Sequence, residues 1–441
     1  MINMKPKLKR FFRQARLIFL LALGLAVWIK LPLVVVGFAV LFVIWLLTSQ
    51  VGAQSLAITW VGLSTVPQRL GATSVIIVGI AGVVGVFIAL LAMAEGFDAT
   101  LREAGSDDTV IILRSGANAE LSSGLDRATV TLITEGQGIL RDAEARPITS
   151  AEVVVVANLP KKSSGTAANV EVRGVGSQVW SLRPSVHIIA GRKFKPGLRE
   201  LVVGEGAFKQ FAGLELSATV LLNSQAWKVV GIFASGDTHA SEIWGDAEQV
   251  AGAYRRNGFQ SVTARLMGPD SFDLFKASVV GDPRLKVDVQ TTRAYYNKQS
   301  ERLTKTIRGL GTGIAVIMAI GAGFGALNTM YSAVADRARE IATLRALGFS
   351  GLPVMISALL EAMILALIGG LLGTVIAYAL FNGYTASTLG SNFSQVVFQF
   401  HVSPTLLLDG LQWALAIGFI GGFFPALQAA SIPVSVALRE L

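Results

Sequence analysis

Long apolar runs, almost free of charge, bracket one extended polar stretch along this chain. Residues 73–94, 310–334, 352–381 and 406–430 each reach the roughly 20 residues that a helix rising about 1.5 Å per residue needs to cross a bilayer. Ahead of them, residues 17–29 and 33–47 are apolar but individually too short, and Lys30, Leu31 and Pro32 separate them. These two pieces read as a hairpin of short helices or as one long kinked span. The hairpin is preferred, because it returns the chain to the side where Arg69 belongs. Residues 55–70 are weakly apolar and predict a helix lying along the membrane surface. From 98 to 303 the pattern changes to short β-branched runs at 110–113, 153–156, 170–175, 201–203, 219–222, 229–233 and 262–266. Gly, Asn, Asp and Pro punctuate these strands, and a helix over 272–280 precedes a last strand near Val287. Residues 295–307 are polar but helix-compatible and run without a break into the next apolar stretch.

Small residues mark the apolar runs as helix-packing surfaces. Gly79, Gly82 and Gly85 recur in the first, and Gly309, Gly313, Gly321 and Gly325 repeat at multiples of four in the second. Gly369 and Gly373, then Gly418 and Gly422, form further pairs four apart. Each permits close backbone approach, within one chain or across a dimer seam. Glu361 is the sole charged group in its run, and a carboxylate at that depth needs a partner or water.

Cations set the expected sidedness. Lys5, Lys7, Lys9, Arg10, Arg13 and Arg16 precede the first apolar run without an acidic residue, whereas residues 382–405 hold neither Lys nor Arg. The positive-inside rule therefore places both termini and the connector at 328–350 in the cytoplasm, and 98–303 outside. With 52% hydrophobic and only 15% charged residues the chain is an integral membrane protein by composition. The net charge of +9 comes with no basic run interleaved with aromatics in a soluble segment, as nucleic acid would need, and juxtamembrane cations explain part of the excess. Cysteine is absent, which excludes disulfides and thiolate chemistry. His187, His239 and His401 stand alone, with no metal-binding spacing, and Glu200 and Glu205 read as solvated. Neither a nucleophile elbow nor a phosphate-binding loop of the form G-x-x-x-x-G-K-[ST] occurs.

The connector carries the most specific signal. Residues 338–347 are strong helix formers that Gly348 and Ser350 stop, with Ile341, Leu344 and Leu347 spaced as one apolar face. The motif RAREIATLRALG, with Arg337, Arg339, Glu340 and Arg345, resembles the coupling connector of the MacB/FtsX-like permeases of ABC transporters. The closing segment from Pro425, with its PALQAA motif and the later ALRE, resembles the family terminus, Gln428 standing where a basic residue is common. VEVRGV at 170–175, LVVGEG at 201–206 and WKVVGIF at 227–233 resemble segments of a MacB-type periplasmic domain. The resemblance covers residues 61–441 and omits the leading hairpin.

Together with the apolar pattern, which adds an N-terminal apolar hairpin, it implies an α-helical integral membrane protein with four core transmembrane helices and a large α+β extracytoplasmic domain of two lobes. The expected organisation is a basic tail and hairpin at 1–54, a surface helix and first core helix at 55–97, the extracytoplasmic domain at 98–303 with an inserted β lobe at about 184–256, and three further membrane helices in 304–441. By the same resemblance the chain is a non-catalytic, multi-pass permease subunit of a bacterial inner membrane. Arg337, Arg339, Glu340, Ile341, Leu344, Arg345, Leu347 and Gly348 would couple it to a separate ATPase that binds ATP and magnesium. A second copy or a similar permease, membrane lipids, a periplasmic adaptor and an outer-membrane component are the further expected partners. Its function would be export or envelope transport by mechanotransmission; the alternative is a non-transporting subunit that relays ATPase state to envelope enzymes or sensors.

Overall fold

The computed structural model describes residues 32–390 and 392–431. The basic tail, the first half of the leading hairpin, and the closing residues with Arg439 lie outside the described residues. These divide into two units: residues up to 92, 308–382 and from 402 onward form one, and 93–307 with 383–401 form the other.

The chain enters the first unit with α1 (Pro32–Thr48) and α2 (Gln50–Ser64), bent by 94° at Ser49. Ser49 causes the restart: its extended backbone leaves the helix and its Oγ accepts from the Gly52 amide at 2.9 Å. Helix α2 buries Gly52, Ser55, Ile58, Thr59 and Gly62, a stripe at helical spacing. The surface helix expected over 55–70 is thus shifted. It ends at Ser64, and a tight turn containing Pro67 leads into α3 (Leu70–Glu103).

In the second unit the order is β1 (Thr109–Arg114), α4 (Arg127–Thr134), β2 (Thr149–Pro160), β3 (Ala167–Val175), α5 (Val179–Leu182), β4 (His187–Gly191), β5 (Glu200–Gly204) and α6 (Glu205–Gln210). It continues with β6 (Thr219–Leu222), β7 (Gln225–Ala234), β8 (Glu242–Asp246), α7 (Ala247–Ala253), β9 (Ser261–Arg265), α8 (Ser271–Val280) and β10 (Val287–Thr291). The strands form one mixed sheet, ordered β10-β1-β9-β2-β3-β8-β5-β7-β4, with β6 paired to β7. Segment 184–256 supplies β4 to β8, which occupy one end of that sheet beyond the parallel β3–β8 pair. Asn223 and Ser224, at φ of 46° and 63°, make the two-residue turn between β6 and β7, whose left-handed pair matches the twist of a hairpin. One apolar core gathers Val110, Ile133, Val262 and Phe275 between β1, β9, α4 and α8. Another gathers Val172, Phe211, Trp227 and Val250 between β3, β7 and α7.

Helix α9 (Thr292–Asp336) joins the polar and apolar stretches without interruption, as the pattern predicts, and over 45 residues reaches about 68 Å. After it come α10 (Ala338–Ala346), α11 (Gly351–Phe381), the hairpin β11 (Thr385–Leu389) and β12 (Gln395–Gln399), and α12 (Pro404–Ser431). The cation-free loop thus folds as a hairpin within the second unit. There Phe398 meets the Phe97 ring edge-on at 5.6 Å, and the Val397 amide donates to Ser241 Oγ at 2.8 Å. Among the described residues, Thr73–Glu103, α9, α11 and α12 are the four helices long and apolar enough to cross a membrane.

The glycine stripes are used selectively. A Cβ on Gly369 or Gly373 would lie 2.7 Å from the Ile77 carbonyl or 2.5 Å from that of Ala81, so α11 and α3 touch backbone to backbone. Gly418 and Gly422 instead receive the methyl groups of Ala366 and Ala362. Gly309, Gly313, Gly321 and Gly325 do not: a Cβ there meets nothing within 4 Å among the described residues. Helix α9 packs instead through Gly311, against Leu90, and Ala326, against Gly421. Gly79 and Gly82 are likewise open, and only Gly85 is approached.

Candidate coupling site

Helix α10 ends as its sequence dictates. The Gly348 amide donates to the Arg345 carbonyl and that of Phe349 to the Leu344 carbonyl, while Gly348 takes φ of 100°. This is a Schellman closure, and Leu344 and Phe349 on either side of it both pack on the apolar cluster around Ile341. The cap fixes which face of the short helix turns inward.

That face differs from the expected one. Ile341 is buried with Ile58, Val334, Val354 and Ala429, and Leu344 packs against the same cluster. Only Leu347 of the expected apolar triad is free, at 74% exposure. Arg345, expected at the rim of a partner contact, donates to the Ala430 carbonyl at 3.2 Å. The correction has a simple physical cause. The i, i+3, i+6 spacing drifts around a helix of 3.6 residues per turn, so the third position rotates away from the protein. The face left outward carries Arg339, Glu340, Thr343 and Leu347.

Arg337 also turns inward. Its Nη1 lies 3.0 Å from Glu361 Oε2, and its Nε lies 3.1 Å from Glu340 Oε2. Arg69 approaches the other Glu361 oxygen at 3.8 Å while donating to Thr65 Oγ1 at 2.8 Å. The Glu361 side chain is 8% exposed, so the partner its depth demands comes from the connector and from the approach to α3. Gly62 of α2 makes room: a Cβ there would stand 2.8 Å from both Arg337 Nη1 and Glu361 Oε2. Three elements of one unit, α2, the connector and α11, therefore meet on a single buried charge.

A second charged centre, in the other unit, escaped sequence reading. Arg173, 2% exposed, binds four carboxylates: Glu120 at 2.8 Å, Glu152 at 2.9 Å, Glu171 at 2.6 Å and Glu242 at 2.9 Å. Arg183 grips Glu152 with both terminal nitrogens, at 2.8 and 3.0 Å. Burial alone would raise Glu152, but Arg183 and Arg173 outweigh it and hold the carboxyl at about 2. Glu171 goes the other way: burial, then the neighbouring Glu242 charge, push it up to about 7. Its Oε2 accepts from Asn392 Nδ2 and Ser394 Oγ, each at 3.1 Å, so this carboxyl joins the β11–β12 hairpin to the sheet. Two further expectations change. Glu200 is bound by Arg192 at 2.6 and 2.7 Å rather than solvated, and Glu205 remains on the surface with Lys209. His239 is buried, 3.0 Å from Asp237, whereas His187 is exposed.

Known proteins resemble this chain in both units. Residues 73–281 match the MacB-like periplasmic core domain, and residues 312–434 match the FtsX-like permease C-terminal domain. A macrolide export ATP-binding/permease protein MacB of Shewanella oneidensis is 25% identical over 426 residues, covering 88% of this chain and 61% of the relative. One from Yersinia pestis bv. Antiqua is 29% identical over 304 residues, covering 64% of this chain and 42% of its own length. The chain thus spans less than two thirds of these relatives. The crystal structure of the periplasmic region of MacB from Actinobacillus actinomycetemcomitans shares 14% identity and a TM-score of 0.33, over 47% of this chain and 95% of that one.

Proposed function

Because this chain belongs to the MacB/FtsX-like family of ABC transporter permeases, we propose that it is the membrane subunit of an export or envelope-transport system driven by a separate ATPase. The ATPase docks on the outward face of α10, and its nucleotide-dependent movement passes through Arg337 and Glu361 into the spanning helices and on to the extracytoplasmic domain. One observation carries this reading: the connector is a capped helix, tied by a buried ion pair to the helix that follows it, with Arg339, Glu340, Thr343 and Leu347 left outward. A loop that served only as a topological signal would need neither the cap nor the pair. The relatives' names join ATP binding to a permease, and these 441 residues contain no phosphate-binding loop. Placement in a bacterial inner membrane, assembly with a second permease copy along the open Gly313–Gly325 stripe of α9, and engagement of a periplasmic adaptor and outer-membrane component complete the proposal. A macrolide is one candidate cargo, by likeness to those relatives.

The test is ATPase stimulation in proteoliposomes by the chain together with the ATPase that co-purifies with it. Leu347→Asp should abolish stimulation while leaving insertion and melting unchanged, since exposed Leu347 is the apolar anchor available to a groove. Leu344→Asp should instead lower stability, by burying a charge in the Ile341 cluster. Full stimulation by a correctly inserted Leu347→Asp protein would remove the docking face.

A further inference from the structure

Within the second unit, a cavity of about 410 Å³ opens between the polar start of α9 and the β11–β12 hairpin, inside the range of roughly 300 to 1,000 Å³ typical of small-molecule sites. Its apolar wall is made by Phe97, Leu303, Leu389 and Phe393. Among the described residues its only charged lining groups are Lys298 and Arg302, one turn apart on α9. Neither has a carboxylate within ion-pair distance among the described residues, whereas neighbouring Lys305 is paired with Glu301. Phe393 adds an independent sign. It is 71% exposed and held at φ of 56°, a left-handed backbone that Asn or Gly adopts more readily than an aromatic residue. A hairpin tip selected for solubility or ease of turning would not place a bare phenyl ring there.

We propose that this cavity binds an anionic membrane lipid, with one acyl chain against Phe97, Leu303, Leu389 and Phe393 and an acidic head group between Lys298 and Arg302. The two unpaired cations select the sign of the head group, and the apolar wall selects the chain. The source follows from α9 itself. Four residues after Thr306, at the cavity's edge, the same helix becomes an uncharged apolar run from Leu310, so a lipid of the outer leaflet lies one helical turn away. A cationic amphiphile has no acidic partner in the lining. The proposal needs α9 to enter a membrane but is independent of ATPase coupling, so either can fail without the other.

The experiment uses the full chain in phosphatidylcholine nanodiscs doped with diazirine-bearing phosphatidylglycerol or, in parallel, diazirine-bearing phosphatidylcholine. Crosslinks are mapped by peptide mass spectrometry. The phosphatidylglycerol probe should label peptides containing Leu303 and Phe393, and Lys298→Gln/Arg302→Gln should cut that labelling about tenfold or more, the weight of charge-assisted hydrogen bonds. Both positions are exposed and glutamine favours helix, so the variant retains its fold. Lys305→Gln, off the cavity, should label like wild type. Phe393→Asn suits the turn and should reduce labelling by removing the wall. Equal labelling by the phosphatidylcholine probe, or undiminished labelling of the double variant, overturns the site. Labelling by a soluble diazirine-bearing dodecyl phosphate but not by the phosphatidylglycerol probe overturns the membrane source.

Discussion

If the Arg337–Glu361 pair locks the connector to α11, its two ends must be energetically coupled, and the coupling can be measured. In Arg337→Ala, Glu361 keeps only Arg69 among the described residues, at 3.8 Å, as counter-charge in a site where its side chain is 8% exposed. Breaking a fully buried pair costs about 3–5 kcal/mol; with Arg69 remaining and the Arg337 side chain 16% exposed, about 2–3 kcal/mol is expected. Glu361→Ala leaves Arg337 the half-exposed Glu340 at 3.1 Å and a path to water, so its cost should be smaller. The double variant should lose little beyond the worse single one, a coupling energy of about 1–3 kcal/mol. Arg339, on the outward face, serves as control: Arg339→Ala with Glu361→Ala should be additive within about 0.5 kcal/mol. Glu340→Ala should cost no more than about 1 kcal/mol, as an exposed partner does. The assay is reversible denaturant unfolding of the purified chain in neutral micelles, followed by tryptophan fluorescence, with all variants at one pH and salt. A coupling below about 0.5 kcal/mol for Arg337 and Glu361 would refute the lock, and with it the route by which the connector's movement reaches α11.

Three further outcomes are expected. The chain has no cysteine, so a cysteine at exposed Ser164 should react with an impermeant maleimide in spheroplasts and one at exposed Ser350 should not; the reverse pattern defeats the proposed sidedness. Gln54, rather than buried Ser55, is the position to label for the side of α2. A cysteine at Gly321, on the open stripe of α9, should crosslink between two copies in native membranes, while one at Gly418, filled by Ala366, should not. Glu171 should make stability depend on pH. Its folded value of about 7 lies above the ordinary 4.5, so its contribution is full below pH 4.5 and is lost as pH rises through 7. Glu171→Gln, which mimics the protonated form, should therefore remove a loss of melting temperature between pH 5 and 8; an unchanged pH profile contradicts the assignment. Glu152, held at about 2, acts oppositely: its stabilisation is present above pH 4.5 and fails only as pH falls toward 2.

What the sequence disclosed follows from the range of the forces involved. The four apolar helices and the strands at β1, β2, β3, β5, β6, β7, β9 and β10 were legible, because hydrophobic runs and β-branched alternation act over a few residues. The cap at Gly348 was legible for the same reason. The Arg173 centre was not. Glu171 and Arg173 alternate with Val170 and Val172 along β3, which locally describes a strand with one wet face. On that face Glu152 of β2 and Glu242 of β8 stand beside Arg173, the turn carrying Glu120 and the distant β11–β12 hairpin close over it, and no local pattern can announce a lid that arrives more than 200 residues later. The same limit explains β4 and β8, whose short segments acquire their pairing from β7 and β3.

The connector shows how one local rule can be right about an element and wrong about its direction. Spacing predicted the helix, its stop and an apolar side, yet it assigned that side to a partner when α10 needs it at home. Only nine residues long, this helix cannot hold itself together in water, where fewer than about 12–15 residues are marginal. It must bury Ile341 and Leu344 against its own unit to exist as a rigid body, and the face left for a partner is the polar one, with Leu347 at its end. The arginines divide along the same line. Arg337 and Arg345 are bound inward to Glu361 and to the Ala430 carbonyl, whereas Arg339 faces out. A rigid helix anchored on one side and polar on the other is what a force-transmitting contact requires: tight internal coupling, so that displacement is not absorbed, and an outer surface that can be engaged and released.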